Sequence, residues 1–295
     1  MEWMRKTFIR RTGSNPGKNP KDDVVDDQTV EFRVPYDILD HIFSFLKPHR
    51  RDLVRCSKAH PIFSQIVERY QFHHIIIKTG FSDFAFSLTP SDLLKHLTET
   101  PRIVNFVTIL QIDFDSTSYR EIPIEHTLSE IASLMPRFPL LECIILSTRA
   151  SFPDSLNDLP QSFRKALEDC LRLPTLQEVH FGNISFRLSM LDNHANINYL
   201  SLSRPPEFEP EYLETSYPQI KSLAFEGFKY YHRGDCFATW AKRHVTQLQS
   251  LKYDLSCHKM ISYVLDVCSD TLENLYICIT RNPREFKLSS HNSLC

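Results

Sequence analysis

The sequence predicts an α/β fold, in which a small three-helix unit precedes a longer domain of alternating strands and helices around a parallel sheet. Apolar residues recur at helical spacing between residues 34 and 70. From residue 107 onward they recur in short strand-like patterns that are 21 to 35 residues apart. The chain has 295 residues, 42% of them hydrophobic, so it can bury one small and one large core.

The composition argues against several classes of function. The formal net charge is only −2, so the chain lacks the basic footprint that nucleic-acid binding requires. Only six glycines are present, which disfavours the glycine-rich loops that cradle phosphates. No secretory or membrane-spanning apolar run occurs. We therefore expect a cytoplasmic and/or nuclear protein without a nucleic-acid or membrane partner.

The cysteine pattern predicts neither a metal site nor a cofactor. The eight cysteines include no CxxC pair and are expected to be mostly buried thiols in a reducing compartment. His73 and His74 are adjacent in a predicted strand and point to opposite faces, so they cannot share one metal ion. One further Cys/His group has spacings that match no zinc module. Its members are Cys236, Cys257, His258, Cys268 and Cys278.

The N-terminal segment, residues 1–30, is predicted to be a disordered tail. It begins basic, turns acidic and contains too few apolar residues to offset the entropy lost on ordering. The predicted domain boundaries are therefore residues 1–30 for the tail, 31–72 for the helical unit and 73–295 for the repeat domain.

The first predicted helix follows Pro35, which suits a first helical turn, and stops before Pro48. One apolar stripe runs along it and consists of Ile38, Leu39, Ile42, Phe43 and Leu46. A second stripe with the same offsets follows Pro61 and consists of Ile62, Phe63, Ile66, Val67 and Tyr70. A short helix or turn at residues 52–57 lies between them. Three helices this short bury little surface, so we expect the unit to be stabilised by packing against the rest of the chain or against a partner.

This segment resembles the F-box. The resemblance rests on an ordered set of residues, namely Pro35, Asp37, Ile38, Leu39, Ile42, Leu46, Asp52, Leu53, Cys56 and Ser57. The chain departs from the family at Val34, where Leu is usual, at Lys58-Ala59, which replaces a more apolar pair, and at Phe63, where Trp is usual.

The resemblance implies a function as the substrate-receptor subunit of a Skp–cullin–F-box E3 ubiquitin ligase, not as an enzyme. The helical unit would dock onto a Skp-type adaptor, and through it onto a cullin. Its apolar side chains would insert as anchors into a helical groove of the adaptor. The implied adaptor contacts are Val34, Pro35, Ile38, Leu39, Ile42, Phe43, Leu46, Leu53 and Cys56.

The rest of the chain carries seven approximate copies of an L-x-x-L-x-L pattern, in which L is any bulky apolar residue. Their central residues are Leu110, Ile144, Val179, Leu200, Leu223, Leu251 and Leu275, which are 34, 35, 21, 23, 28 and 24 residues apart. The later intervals fit leucine-rich repeats, and the longer ones hold helical inserts such as residues 162–173. The chain thus resembles fungal-type F-box proteins with an irregular leucine-rich-repeat-like α/β solenoid; a generic layered α/β domain is the alternative.

In this register the x residues line one face of the sheet and would bind the target protein. The first row is Ile109, Cys143, Glu178, Tyr199, Ser222, Ser250 and Asn274, and the other two rows lie two and four residues further along each strand. The candidate target-binding residues are His180, Tyr199, Glu226, Lys252, Asp254 and Tyr276. The third row contains Asp113, Glu226 and Asp254 and no base, so we expect it to favour a basic segment of the target.

Two other functions remain open from the sequence. The chain could bind the adaptor as a scaffold without supporting ubiquitin transfer. It could also be a repeat protein whose helical cap only mimics an F-box, in which case Ile38, Ile42 and Leu46 would be buried against the chain's own repeats. An enzyme gains no support, because the sequence contains no GxGxxG, P-loop or GxSxG motif.

Overall fold

The computed structural model describes residues 34–47, 49–79, 89–115, 124–149, 155–191, 194, 196–204, 207, 219–225, 234–254 and 258–278. The predicted tail, residues 1–30, lies outside this range. So do Pro48, Glu226 and Cys257.

Three helices form the N-terminal unit: α1 (Tyr36–Phe45), α2 (Arg50–Ser57) and α3 (Pro61–Phe72). Pro61 stands in the first turn of α3, where a missing amide hydrogen costs nothing, and the side chain of His60 accepts a hydrogen bond from the Ile62 amide. The unit has a small core of its own. Its buried members are Leu39, Phe43, Leu53, Ile66 and Val67.

The described residues after α3 form one sheet of eight parallel strands in chain order. The strands are β1 (His74–Lys78), β2 (Ile109–Asp115), β3 (Cys143–Arg149), β4 (Glu178–Gly182), β5 (Tyr199–Leu202), β6 (Ser222–Phe225), β7 (Ser250–Asp254) and β8 (Asn274–Cys278). The described connections between them contain five α-helices: α4 (Pro90–Glu99), α5 (Ile124–Leu134), α6 (Gln161–Leu171), α7 (Gly234–His244) and α8 (His258–Cys268). The prediction of an α/β protein with a parallel sheet is confirmed.

The predicted strand register is also confirmed. Ile109 pairs with Cys143, Cys143 with Glu178, and the row continues through Tyr199, Ser222 and Ser250 to Asn274. Each strand from β2 to β8 begins in the same way: two consecutive amides at its start donate hydrogen bonds of 2.8–3.1 Å to one carbonyl at the start of the preceding strand. These carbonyls belong to His73, Thr108, Glu142, Gln177, Asn198, Lys221 and Gln249.

The large core lies on one face of the sheet. The central residues of the sequence patterns, from Leu110 to Leu251, are buried there against side chains of the connecting helices. The predicted insert at residues 162–173 is helix α6, which buries Phe163, Ala166, Leu167 and Leu171 as expected from its helical spacing.

The last pattern departs from the prediction that its apolar residues face the core. Leu275 and Ile277 on β8 remain 46% and 48% exposed. Within the described part of the chain, β8 is the final strand of the sheet, so no further strand or helix packs against its outer side.

Among the described helices, none is long and apolar enough to span a membrane.

Candidate docking and binding surfaces

Helix α1 is apolar on two sides, and only one of them is buried. Leu39 and Phe43 point into the small core, with Leu46 packed beside them. On the other side Ile38 is 48% exposed, Ile42 50% and Phe45 68%. Positions 38, 42 and 45 are four and three residues apart, which places them on one helical face. Together with the exposed Val34 and Pro35 just before the helix, they form what we call the docking stripe.

The structure divides the nine implied adaptor contacts into three groups. Val34, Pro35, Ile38 and Ile42 are exposed, while Leu46 and Cys56 are half-buried. Leu39, Phe43 and Leu53 are buried in the unit's own core, and their direct contact with a partner stays a prediction. Their apolar character serves the packing of α1 against α2 and α3.

Tyr36 and Phe45 are exposed apolar residues of α1 that the sequence interpretation missed. Phe45 packs its ring edge-on against His41, with the ring centroids 4.9 Å apart. The signal was present in the sequence, because Phe45 lies at the helical offset that continues Ile38 and Ile42.

A polar network holds α1 in place on α3. The carboxylate of Asp40 accepts a hydrogen bond from the guanidinium of Arg69, and the Tyr70 hydroxyl lies 2.8 Å from the same carboxylate oxygen. Burial, followed by the hydrogen bond to Asp40, raises the pKa of Tyr70. Asp40 therefore links α1 to α3. This link fixes the direction in which the docking stripe faces.

The helical unit is joined to the sheet domain by a few specific contacts. Arg102, in the 3₁₀ turn before β2, pairs with Glu68 of α3 at 2.7 Å. The Lys47 Nζ atom lies 2.8 Å from Nε2 of His73, which directly precedes β1, and Phe72 packs against the large core. These contacts leave Glu68 and Phe72 of α3 half-buried and the docking stripe exposed.

The face of the sheet opposite the large core carries the three predicted rows, and we call it the polar face. On it His180 and Tyr199 are half-buried, with their ring centroids 5.0 Å apart. Lys252 and Tyr276 are exposed, as a binding role requires. Glu226 lies outside the described residues.

The predicted acidic row is not an exposed acidic edge. Asp254 is buried, and so is Asp113, whose carboxylate accepts hydrogen bonds from Gln111 Nε2 at 2.8 Å and from Ser147 Oγ at 2.5 Å. Lys78 of β1 lies beside Asp113 in the same row, so the row also contains a base. The prediction that Asp113 and Asp254 are exposed is therefore wrong, and the binding of a basic target segment stays a prediction.

Three potential metal ligands meet on the polar face: Cys143 on β3, and Glu178 and His180 on β4. One ligand atom from each lies within 4.8 Å of the others. Burial raises the pKa of the Cys143 thiol to about 12, and the adjacent Glu178 carboxylate adds to this rise because it repels the thiolate. The sequence interpretation considered other Cys/His groups and missed this one, although its own rows placed Cys143 beside Glu178.

No protein-family model matches this chain, and no curated protein sequence matches it.

Proposed function

We propose that this chain is an F-box protein that serves as the substrate receptor of a Skp–cullin–F-box ubiquitin ligase, and the docking stripe carries the proposal. A row of apolar side chains exposed on one helix is the feature that docks into a hydrophobic groove of a partner. Ile38, Ile42 and Phe45 form such a row. The expected occupant is a Skp-type adaptor, because the order of residues from Pro35 to Ser57 resembles the F-box.

If the helical unit were a structural cap that only mimics an F-box, Ile38, Ile42 and Leu46 would be buried against the repeats. Ile38 and Ile42 are instead about half exposed. Leu46 is half-buried, but it packs in the core of the helical unit and not in the core of the sheet. These observations favour a docking surface over a structural cap.

The sheet domain is assigned as an irregular leucine-rich-repeat-like solenoid. Support comes from the consecutive parallel order of its strands and from the two-amide hydrogen-bond pattern that is repeated at the start of each strand from β2 to β8. In this assignment the target protein binds the polar face, with His180, Tyr199, Lys252 and Tyr276 among its contacts.

Co-purification of the full chain with a Skp-type adaptor tests the docking step. Replacement of both exposed isoleucines, Ile38→Ala/Ile42→Ala, should weaken adaptor binding by at least tenfold, because central apolar anchors are commonly worth about 1–2 kcal/mol each. The variant avoids Leu39, whose truncation would damage the core and confuse the result.

Leu140→Ala is a matched control, because Leu140 is an exposed apolar residue far along the chain beside β3. It should bind the adaptor as the unmodified chain does. Failure of the unmodified chain to bind any Skp-type adaptor would overturn the proposed function.

A reconstituted ubiquitination assay separates the receptor from the scaffold alternative. A receptor promotes ubiquitin transfer to a co-purifying target, whereas a scaffold binds the adaptor without such transfer. The exposed pair Lys252→Ala/Tyr276→Ala should reduce target capture by several-fold and leave adaptor binding unchanged. If this variant captured the target as well as the unmodified chain, the end of the polar face that carries Lys252 and Tyr276 would not be part of the binding surface.

A further inference from the structure

We infer that Cys143, Glu178 and His180 form a binding site for one Zn²⁺ ion on the polar face of the sheet. Their sulfur, carboxylate oxygen and imidazole nitrogen all lie within 4.8 Å of one another. This site goes beyond the proposed function and does not depend on it.

The strand register brings the three ligands together. Cys143 and Glu178 are direct partners on the neighbouring strands β3 and β4. His180 follows Glu178 by two residues, so both side chains leave β4 on the same face. Ligands on paired strands in the interior of a sheet are held more firmly than ligands on loops, which favours a preformed site.

The ligand atoms lie close to the separations that a tetrahedral ion requires. Zn²⁺ bonds of about 2.0–2.2 Å to nitrogen and oxygen place these two ligand atoms roughly 3.3–3.6 Å apart. The Nε2 atom of His180 lies 3.7 Å from a carboxylate oxygen of Glu178, with which it forms an ion-pair contact. A small approach of the side chains would admit the ion, which would replace this contact.

The chemical nature of the ligands selects the metal. Thiolate and imidazole are typical ligands of Zn²⁺, whereas Mg²⁺ and Ca²⁺ prefer oxygen ligands alone. Bound to the ion, the thiolate and the carboxylate would together neutralise its two positive charges. The tilted Tyr199 ring, 5.0 Å from the His180 ring, would help to orient the imidazole.

Three protein ligands leave one tetrahedral position open. Cys143 is only 6% exposed, whereas the Glu178 side chain reaches solvent and His180 is half-buried, so the open position faces outward from the sheet. Water would occupy this position in the isolated chain. A histidine, cysteine or carboxylate of a bound protein could replace that water.

Cobalt titration of the purified full chain tests the site, because Co²⁺ occupies zinc sites and reports thiolate ligation in its absorption spectrum. The chelator-treated protein should bind one equivalent of Co²⁺ at this site with a thiolate-to-cobalt charge-transfer band, and Zn²⁺ should displace it. Cys143→Ser should abolish this band. His180→Ala should weaken Zn²⁺ binding by about 100-fold, since a direct ligand matters at least as much as the groups around it.

Cys56→Ser is the matched control, because it removes a half-buried thiol of the helical unit and should change neither the band nor the affinity. Circular dichroism of each metal-free variant checks that the fold is retained. Absence of a charge-transfer band in the unmodified chain, or its persistence at full strength in Cys143→Ser, would overturn the assignment.

Discussion

At the scale of single residues, Cys143 shows how a side chain acquires its properties from its neighbours in space. It is buried on a strand beside Glu178, 35 positions further along the chain. Burial and the adjacent carboxylate both disfavour the thiolate, which raises the pKa of the thiol to about 12. Without a metal ion, Cys143 should therefore behave as an inert structural cysteine.

Alkylation of Cys143 in the metal-free protein should be slow at pH 8. With a pKa of about 12, only about one thiol in ten thousand is ionised at that pH, and the thiolate is the reactive form. The rate should rise about tenfold per pH unit up to the pKa, as long as the protein stays folded. Mass spectrometry of maleimide-treated protein measures the modification at this position.

Glu178→Gln should speed the alkylation of Cys143 by several-fold, because it removes the negative charge beside the thiol. Glu142→Gln is a suitable control, since Glu142 precedes Cys143 but is exposed. Equal rates in all three proteins would contradict the electrostatic part of the explanation and leave burial as the cause.

At the scale of elements, helix α1 carries two apolar stripes with different tasks. One stripe, centred on Leu39 and Phe43, holds the helix to α2 and α3, and the Asp40 network with Arg69 and Tyr70 fixes its orientation. The other stripe, centred on Ile38 and Ile42, contributes little to folding because it remains exposed. Stability and the proposed adaptor binding should therefore respond to different substitutions on the same helix.

Leu39→Ala should lower the free energy of unfolding of the helical unit by about 2–5 kcal/mol, because it opens a cavity in a small core. Ile38→Ala should change it by about 0.5 kcal/mol or less, as is usual for surface substitutions. Urea unfolding of the full chain, followed by a probe in the helical unit, measures both. Similar losses for the two variants would mean that Ile38 is buried in solution.

At the scale of the whole molecule, the chain has two cores and one continuous sheet. The small core belongs to α1–α3 and the large core lies along one face of all the strands from β1 to β7. Strands β2 to β7 have a paired strand on each side, whereas the edge strands β1 and β8 have one in the described structure, and of these two only β8 leaves its apolar residues exposed. An apolar side chain on β8 should therefore contribute less to the free energy of unfolding than the side chain at the equivalent position of an internal strand.

Leu223 and Leu275 occupy the same row of the sheet, and replacement of each by alanine compares an internal strand with the last one. Leu223→Ala should cost about 2–5 kcal/mol in unfolding free energy, because Leu223 is fully enclosed. Leu275→Ala should cost about 1 kcal/mol or less, because almost half of that side chain is already exposed. Equal costs, measured by chemical denaturation, would indicate that residues after 278 cover β8.

The sequence by itself determined the α/β class, the strand positions and the strand register. Each strand carries its own alternation of apolar and other residues, and a shift of one residue would turn every apolar side chain away from the core. The apolar spacing of α1 and α3 likewise determined that both are helices. These are local patterns, which the chain displays before it folds.

Only the tertiary structure decided which apolar side of α1 is buried, because Ile38 and Leu39 are equally apolar and the helix period permits either to face inward. It also decided that Asp254 is buried, that Asp113 binds Gln111 and Ser147, and that Lys78 stands beside it. The strand register is needed to place Cys143 near Glu178 and His180. That their ligand atoms lie within 4.8 Å of one another is visible only in the three-dimensional structure. Such contacts join residues far apart in the chain, so they follow from packing and not from any local pattern.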